Sequence, residues 1–325
     1  MKESLSIIGA GAWGSALAIA LSNNFKHIYL HAHTEAQVKN HPLKHPALPV
    51  NYPNNVALTL DTTAIGQATA ILIAVPSYGF TQTLRNIKPL VTADQPMAWL
   101  TKGFDTEQQC LLHQSFETIL TAHTSCIISG PSFAFEVAAH KPTAVTVASK
   151  RQSLRNYWAG ALQTKALRAY TSDDVVGVEV GGSVKNILAI AAGIAAGLGY
   201  GSNTQAALIT RGLAEMVRFG LALGANKTTF SGLSGLGDLV LTCSDDLSRN
   251  RRFGQALSKQ QSVVQALETV GATVEGLNTL ELVLSMAKQH QIELPICEHV
   301  LHITQGKISA DEALRQLMSR QQTDE

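Results

Sequence analysis

The chain has 325 residues, 45% of them hydrophobic and 15% charged, with 25 Lys plus Arg against 24 Asp plus Glu. Sparse charge with abundant apolar residues excludes intrinsic disorder, and a net charge of +1 excludes a dedicated nucleic-acid binder resting on many Lys/Arg–phosphate contacts. At about 150 residues per domain the length predicts two domains, each able to bury a core without disulfide or metal staples.

In chain order, short apolar runs at Leu5–Ile8, Ile28–His31, Ile71–Val75, Met97–Thr101, Ile127–Ser129 and Ala144–Ala148 predict strands. Helical patterns lie between them, the first over Ser15 to Leu21, which is the signature of an α/β fold with a doubly wound parallel sheet. A loop from Pro42 to Pro53 holds four of the ten prolines and reads as an extended connection. Beyond Asp174 the texture becomes Ala/Leu/Gly-rich with helical spacing. Helices are predicted near Val178–Leu198, Gln205–Leu223, Gly276–Gln289 and Ala310–Ser319. The expected architecture is therefore a Rossmann-like dinucleotide-binding domain at residues 1–176 and an all-helical domain at 177–325.

Cys110, Cys126, Cys243 and Cys297 are scattered without a C-x-x-C, and the histidines show no ligand spacing, so no metal site is expected. Leu5–Ile8 is too short for a signal-peptide core. Within the uncharged stretch Asn186–Thr210 the apolar part, Ile187–Leu198, is shorter than the ~20 residues of a membrane span. A cytoplasmic chain with no membrane span is expected.

Gly9-Ala10-Gly11-Ala12-Trp13-Gly14 is a G-x-G-x-x-G that follows a predicted strand and opens a predicted helix, the context that gives this motif meaning. Gly9 permits the turn, Gly11 lets the backbone approach a pyrophosphate, and Gly14 lets the helix pack on the strand. After the second strand come His31-Ala32-His33-Thr34, with no carboxylate to hold a ribose 2′-hydroxyl. Two imidazoles there predict tolerance of a 2′-phosphate, so NADPH is expected to be accepted beside NADH. Lys102, after the fourth predicted strand, and Gly130 and Ser132, after the fifth, lie at carboxyl ends of strands, where ligands of open α/β sheets bind.

Lys185 lies inside an apolar helix, and lysine is almost never fully buried unless paired. Burial lowers a lysine's pKa and makes it useful as a general acid or base. Ser248-Arg249-Asn250-Arg251-Arg252 follows the Gly-rich run Gly232–Asp238, and such a set suits bidentate recognition of phosphate. Gly232-Leu233-Ser234 resembles the start of a nucleophile elbow, but Leu236 occupies the last glycine position.

Six separated blocks agree in order with one family: Gly9–Gly14, Lys102-Gly103, Ser129–Ala134 with Glu136, Gly182–Asn186, Asn203–Glu215 and Gly232–Gly254, closed by Val274-Glu275-Gly276. On these the chain resembles bacterial glycerol-3-phosphate dehydrogenase, the NAD(P)-dependent enzyme of phospholipid synthesis. It departs from the family at Leu48-Pro49-Val50, which lacks the glycine the family often carries in the proline loop, and at Ser183, where alanine is usual. The resemblance implies that dihydroxyacetone phosphate and sn-glycerol 3-phosphate are the small-molecule substrates, and it is compatible with a homodimer. It implies Lys185 as the proton donor and acceptor, with Asp238 beside it. Lys102 would touch substrate and cofactor, and Gly130, Ser132, Ser248, Arg249 and Asn250 would hold the substrate. Gly9, Gly11, Ala12, Trp13, Gly14, His33, Ala134, Arg249 and Glu275 would line the cofactor. Two rival readings are a hydroxyacid dehydrogenase of the same architecture, which would lack the Gly232–Asn250 block, and a non-catalytic NAD(P)-binding sensor, which would tolerate loss of Lys185.

Overall fold

The computed structural model describes residues 1–259 and 262–319. Two compact units divide the chain, Met1–Glu179 and Val180–Glu325. In the first unit the strands are β1 (Lys2–Ile8), β2 (Phe25–His31), β3 (Val56–Thr59), β4 (Ala70–Ile73), β5 (Met97–Trp99), β6 (Phe104–Asp105), β7 (Cys110–Leu111), β8 (Ile127–Ser129), β9 (Thr143–Ala148) and β10 (Leu167–Ser172). Eight of them form one sheet in the order β3-β2-β1-β4-β5-β8-β9-β10, while β6 and β7 pair with each other.

Period-two alternation explains why the central strands read as unbroken apolar runs. Ala70 and Leu72 of β4 enter the core on one face of the sheet, and Ile71 and Ile73 enter the core on the other. In β5, Ala98 faces the first core while Met97 and Trp99 face the second. A strand covered on both faces has no polar side to show, so it reads as a plain apolar run.

β1 pairs in parallel with β2 on one side and β4 on the other, so the winding reverses between β1 and β4. That reversal is the crevice where doubly wound sheets take dinucleotides. The sheet is parallel except where β8 meets β9, with Ser129 opposite Thr146 and Ile127 opposite Ala148. An antiparallel partner begins at the edge where β8 ends, so the chain between them stays at the carboxyl end of the sheet. Residues 130–142, including Ser132 and Ala134, are placed there by this one change of direction. Parallel pairing resumes between β9 and β10 across helix Gln152–Leu162.

The second unit is helical among its described residues. Helix Val175–Gly197 begins in the first unit and continues into it, followed by Ser202–Ala222, Asp238–Ser244, Arg249–Ser258, Val263–Val270, Glu275–Gln289, Pro295–Thr304 and Ala310–Met318. At 23 residues, Val175–Gly197 is long and apolar enough to cross a membrane. It begins 12 residues before the apolar run Ile187–Leu198 seen in the sequence, and its most apolar stretch is 89% buried within the protein, as in the core helix of a globular unit. Helix Arg249–Ser258 crosses it at backbone contact: a Cβ on Gly193 would stand 2.0 Å from the Arg251 carbonyl oxygen, and one on Gly254 2.1 Å from that of Ile190. No side chain fits at either glycine.

Glu215, only 3% exposed, accepts the backbone N–H groups of Ile296 (2.6 Å) and Cys297 (3.3 Å) at the start of helix Pro295–Thr304. Burial outweighs those bonds and raises its carboxyl from the ordinary 4.5 to about 7. With the folded value raised, the unfolded chain releases this proton first. Stability is therefore full below about pH 4.5 and is lost as the pH climbs through 7, by an amount on the order of 3 kcal/mol. The melting temperature is expected to fall between pH 5.5 and 8, and Glu215→Gln, neutral throughout, should flatten that slope. An unchanged slope in the variant would assign the pH dependence elsewhere.

Candidate active site

In the first unit, Gly9 adopts φ +115°, open only to glycine without strain, and a Cβ there would lie 2.8 Å from the Ala74 carbonyl oxygen. A Cβ on Gly14 would stand 2.1 Å from the Gly9 carbonyl oxygen, which is how closely helix Ala12–Ala20 packs on the turn. Gly11 is the opposite case: its Cβ position has nothing within 4 Å. Gly11 caps the helix without any side-chain hydrogen bond, and the N–H groups of a helix's first turn, which lack intrahelical partners, favour an anion. This open cradle at the β1/β4 crevice fits a dinucleotide pyrophosphate, which Gly11, Ala12, Trp13 and Gly14 would hold.

The two histidines after β2 part company. His31 is 6% exposed, its Nε2 lies 3.1 Å from Ser6 Oγ, and burial depresses its pKa to about 4. It is a neutral core residue, and the expectation of two imidazoles for a 2′-phosphate reduces to one. His33 is exposed and its backbone N–H donates to Gln37 Oε1 at 2.7 Å, which leaves the ring outside the core. At the other half of the sheet, Lys102 Nζ donates to the Gly130 carbonyl at 3.1 Å, and Ser132 Oγ donates to the same oxygen at 2.9 Å. Lys102, Gly130 and Ser132 are thus gathered at one point, with Ala134 opening the short helix Ala134–Ala138 just beyond.

In the second unit the Gly-rich run Leu233–Gly237 winds as a single π-helical turn, a form that recurs at functional sites. It leads directly into helix Asp238–Ser244 and delivers Asp238 to Lys185. The two side chains form an ion pair, 1% and 6% exposed as residues, and Lys185 Nζ also donates to Thr242 Oγ1 at 2.8 Å. Thr242 donates in turn to the Asp238 carbonyl at 2.6 Å. Sequence reasoning missed Thr242. The available signal was its i,i+4 spacing from Asp238, which puts both on one helix face.

Ser248 caps helix Arg249–Ser258, its Oγ accepting the Arg251 N–H at 3.2 Å, and its own O–H remains able to donate. Asn250, 8% exposed, donates to Asn186 Oδ1 at 3.0 Å and accepts the Gly276 N–H at 2.9 Å. Asn186, the neighbour of Lys185, donates to Glu275 Oε2 at 3.3 Å. Lys185, Asn186, Asp238, Thr242, Asn250 and Glu275 are thereby brought into one polar region of the unit. Arg249 is exposed at the first position of its helix. A cation there opposes the helix dipole, an arrangement that an incoming anion would relieve.

A dinucleotide cradle on a doubly wound sheet, with a helical unit that buries a lysine–carboxylate pair, defines a nicotinamide-dependent dehydrogenase. Family models describe this more narrowly: residues 4–155 match the N-terminal and residues 174–315 the C-terminal part of NAD-dependent glycerol-3-phosphate dehydrogenase. The chain belongs to that family. It is 61% identical over the full length of both chains to glycerol-3-phosphate dehydrogenase (NAD(P)+) of Ruthia magnifica, and 42% identical to that of Legionella pneumophila across 98% of each chain. The crystal structure of glycerol-3-phosphate dehydrogenase from Coxiella burnetii matches with a TM-score of 0.94 at 40% identity, over 98% of this chain and 99% of that one. A ketopantoate reductase from Ralstonia eutropha, at TM-score 0.60 and 17% identity over 96% and 99% of the two chains, shares the fold alone.

Proposed function

We propose that the chain interconverts dihydroxyacetone phosphate and sn-glycerol 3-phosphate with NAD(P)H or NAD(P)+. The observation that carries the reading is the buried Lys185, held between Asp238 and Thr242. When bound, the nicotinamide supplies or accepts the hydride at C2 of the substrate. Lys185 Nζ gives a proton to the C2 oxygen as it becomes an alkoxide, and takes it back in the oxidative direction. Asp238 and Thr242 fix the ammonium's direction, and Asp238 offsets the cost of burying its charge. Arg249, with the Ser248 O–H, holds the phosphate, and Asn250, oriented by Asn186 and Gly276, completes the substrate pocket. Lys102, Gly130 and Ser132, gathered at one point of the nucleotide-binding unit, are read as substrate-binding residues as well. Gly9, Gly11, Ala12, Trp13, Gly14, His33, Lys102, Ala134, Arg249 and Glu275 are the residues that would hold the cofactor. The finer reading, that the product feeds glycerophospholipid synthesis in the cytoplasm, rests on the family resemblance.

The test is dihydroxyacetone-phosphate-dependent oxidation of NADPH and NADH followed side by side. Turnover absent with both cofactors would remove the reading. NADPH is expected to serve at least as well as NADH, because His31-Ala32-His33-Thr34 at the end of β2 holds no carboxylate and Glu35 comes only beyond it, at the start of the next helix. His33→Asp should move the ratio of kcat/KM values toward NADH, since like charges in juxtaposition cost several kcal/mol. A ratio that does not move would take His33 out of the 2′-phosphate pocket.

A further inference from the structure

Three residues, Asp245–Leu247, separate Ser244, the last residue of the helix carrying Asp238 and Thr242, from Ser248, the cap of the helix carrying Arg249 and Asn250. Whatever fixes this link sets the spacing between the proton-transfer pair and the phosphate clamp. Asp245 turns it, accepting the Leu247 N–H on Oδ1 at 2.7 Å and the Ser248 N–H on its carbonyl at 3.1 Å. Asp246 ties it down: its Oδ1 pairs with the Arg251 guanidinium and also accepts Gln255 Nε2 at 2.9 Å, one turn further along the helix.

Arg251 has an unusual setting. Its side chain is only 12% exposed, against 66% for Asp246, and it sits in the first turn of a helix whose dipole disfavours a cation. Its Nε is buried without a hydrogen-bond partner. Its carbonyl is the atom pressed against Gly193 of the Lys185 helix. Arg251 is therefore immobile at both ends, by backbone against the lysine's helix and by side chain against the link. A loop bound to such a residue inherits its rigidity.

We propose that Asp246 and Arg251 form a positioning pair that holds Arg249 and Asn250 in register with Lys185. The inference rests on the substrate-phosphate reading of Arg249. Neither side chain of the pair touches substrate; the pair converts phosphate binding into correct placement of C2, the use of remote binding energy that raises turnover. A misplacement of 1 Å at the reacting carbon is enough for a loss of about 10²-fold.

The experiment compares dihydroxyacetone phosphate with unphosphorylated dihydroxyacetone, at high enzyme concentration, for wild type, Asp246→Asn, Arg251→Gln and the double variant. Asp246 is exposed, so Asp246→Asn is the variant that keeps the fold. Its kcat/KM for dihydroxyacetone phosphate should fall by about 10- to 100-fold, with less than about two-fold change for dihydroxyacetone and for the cofactor Kd. The double variant should lose no more than the worse single one, because the two residues act as one unit. Arg251→Lys, which keeps the charge and loses the fork, should fall between wild type and Arg251→Gln. Equal losses on both substrates, additive losses in the double variant, or an unchanged Asp246→Asn enzyme would each overturn the proposal. A wild-type enzyme inactive on dihydroxyacetone phosphate would instead overturn the functional reading beneath it.

Discussion

Lys185→Ala is expected to lower turnover by about 10²-fold or more, the loss that follows removal of a positioned general acid–base. The ammonium is paired with Asp238, and Lys185 is 6% exposed, so bulk water is poorly placed to substitute for it. Cofactor affinity should hardly change, because the glycine cradle read as holding the dinucleotide pyrophosphate, Gly9–Gly14, belongs to the first unit. The same substitution leaves Asp238 buried without its charge partner, a change that costs about 3–5 kcal/mol when a buried pair is broken. Turnover therefore has to be compared at a temperature where the variant is still folded, with its melting curve recorded beside it. Lys185→Met, which replaces most of the lost volume, separates chemistry from packing. Retention of more than about a tenth of wild-type turnover by either folded variant would end the assignment of Lys185 as the proton carrier.

Arg249→Ala is expected to raise KM for dihydroxyacetone phosphate by roughly one to two decades, from charge-assisted hydrogen bonds worth about 1.5–3 kcal/mol each. Arg249 is exposed, and its side chain supports neither the cap made by Ser248 nor the Asn186–Asn250–Gly276 bonds. Its removal should spare the melting temperature or raise it slightly, since a cation leaves the positive end of a helix. Part of kcat should go as well, because phosphate binding helps to hold the reacting carbonyl. Unphosphorylated dihydroxyacetone is the control: it is expected to be a very poor substrate for the wild type, and the substitution should cost it far less. Equal losses on the two substrates would move Arg249 to a cofactor or folding role.

Much of the first unit is legible because its signals are local. β8 runs over Ile127–Ser129 as the apolar run does, and β4 and β5 begin within a residue of their runs. β3 and β10 escape the same reasoning for physical causes. Val56–Thr59 is an edge strand of four residues with only Val56 buried, too short to show a pattern, and Leu167–Ser172 is an edge strand whose side chains are mostly half-buried or exposed, so its polar residues hide the pattern. The antiparallel joint between β8 and β9 depends on which edge a 13-residue connection returns to, which no run of residues states.

In the second unit, Ser248–Arg252 reads as a charge run although it is a helix start. The apolar residues that reveal the helix, Phe253, Ala256 and Leu257, come only after three arginines. At the site, the glycine cradle is visible in sequence because its geometry is made by neighbours in the chain. His31 is misjudged because its environment comes from Ser6, 25 residues earlier on the adjoining strand. Thr242 is a single hydroxyl among many until the π-helical turn aims its helix at Lys185. The Asn186–Glu275 bond spans 89 residues of sequence and has no local trace.

Helix Val175–Gly197 has a life before the fold is complete. The helix that covers Gly193, Arg249–Ser258, is synthesised roughly sixty residues later. At about 5–20 residues per second, some 3–12 seconds pass between completion of the first helix and completion of its cover. During that interval the nascent chain presents an apolar segment of membrane-spanning length with nothing laid across its glycine face. A chaperone, a membrane surface or another nascent chain meets the same surface that the finished protein hides. The glycines that permit backbone contact sharpen this hazard, because so intimate a fit accepts only its own partner and gives no partial protection beforehand. The delicate moment for this protein is the stretch of translation before Gly254 has been made.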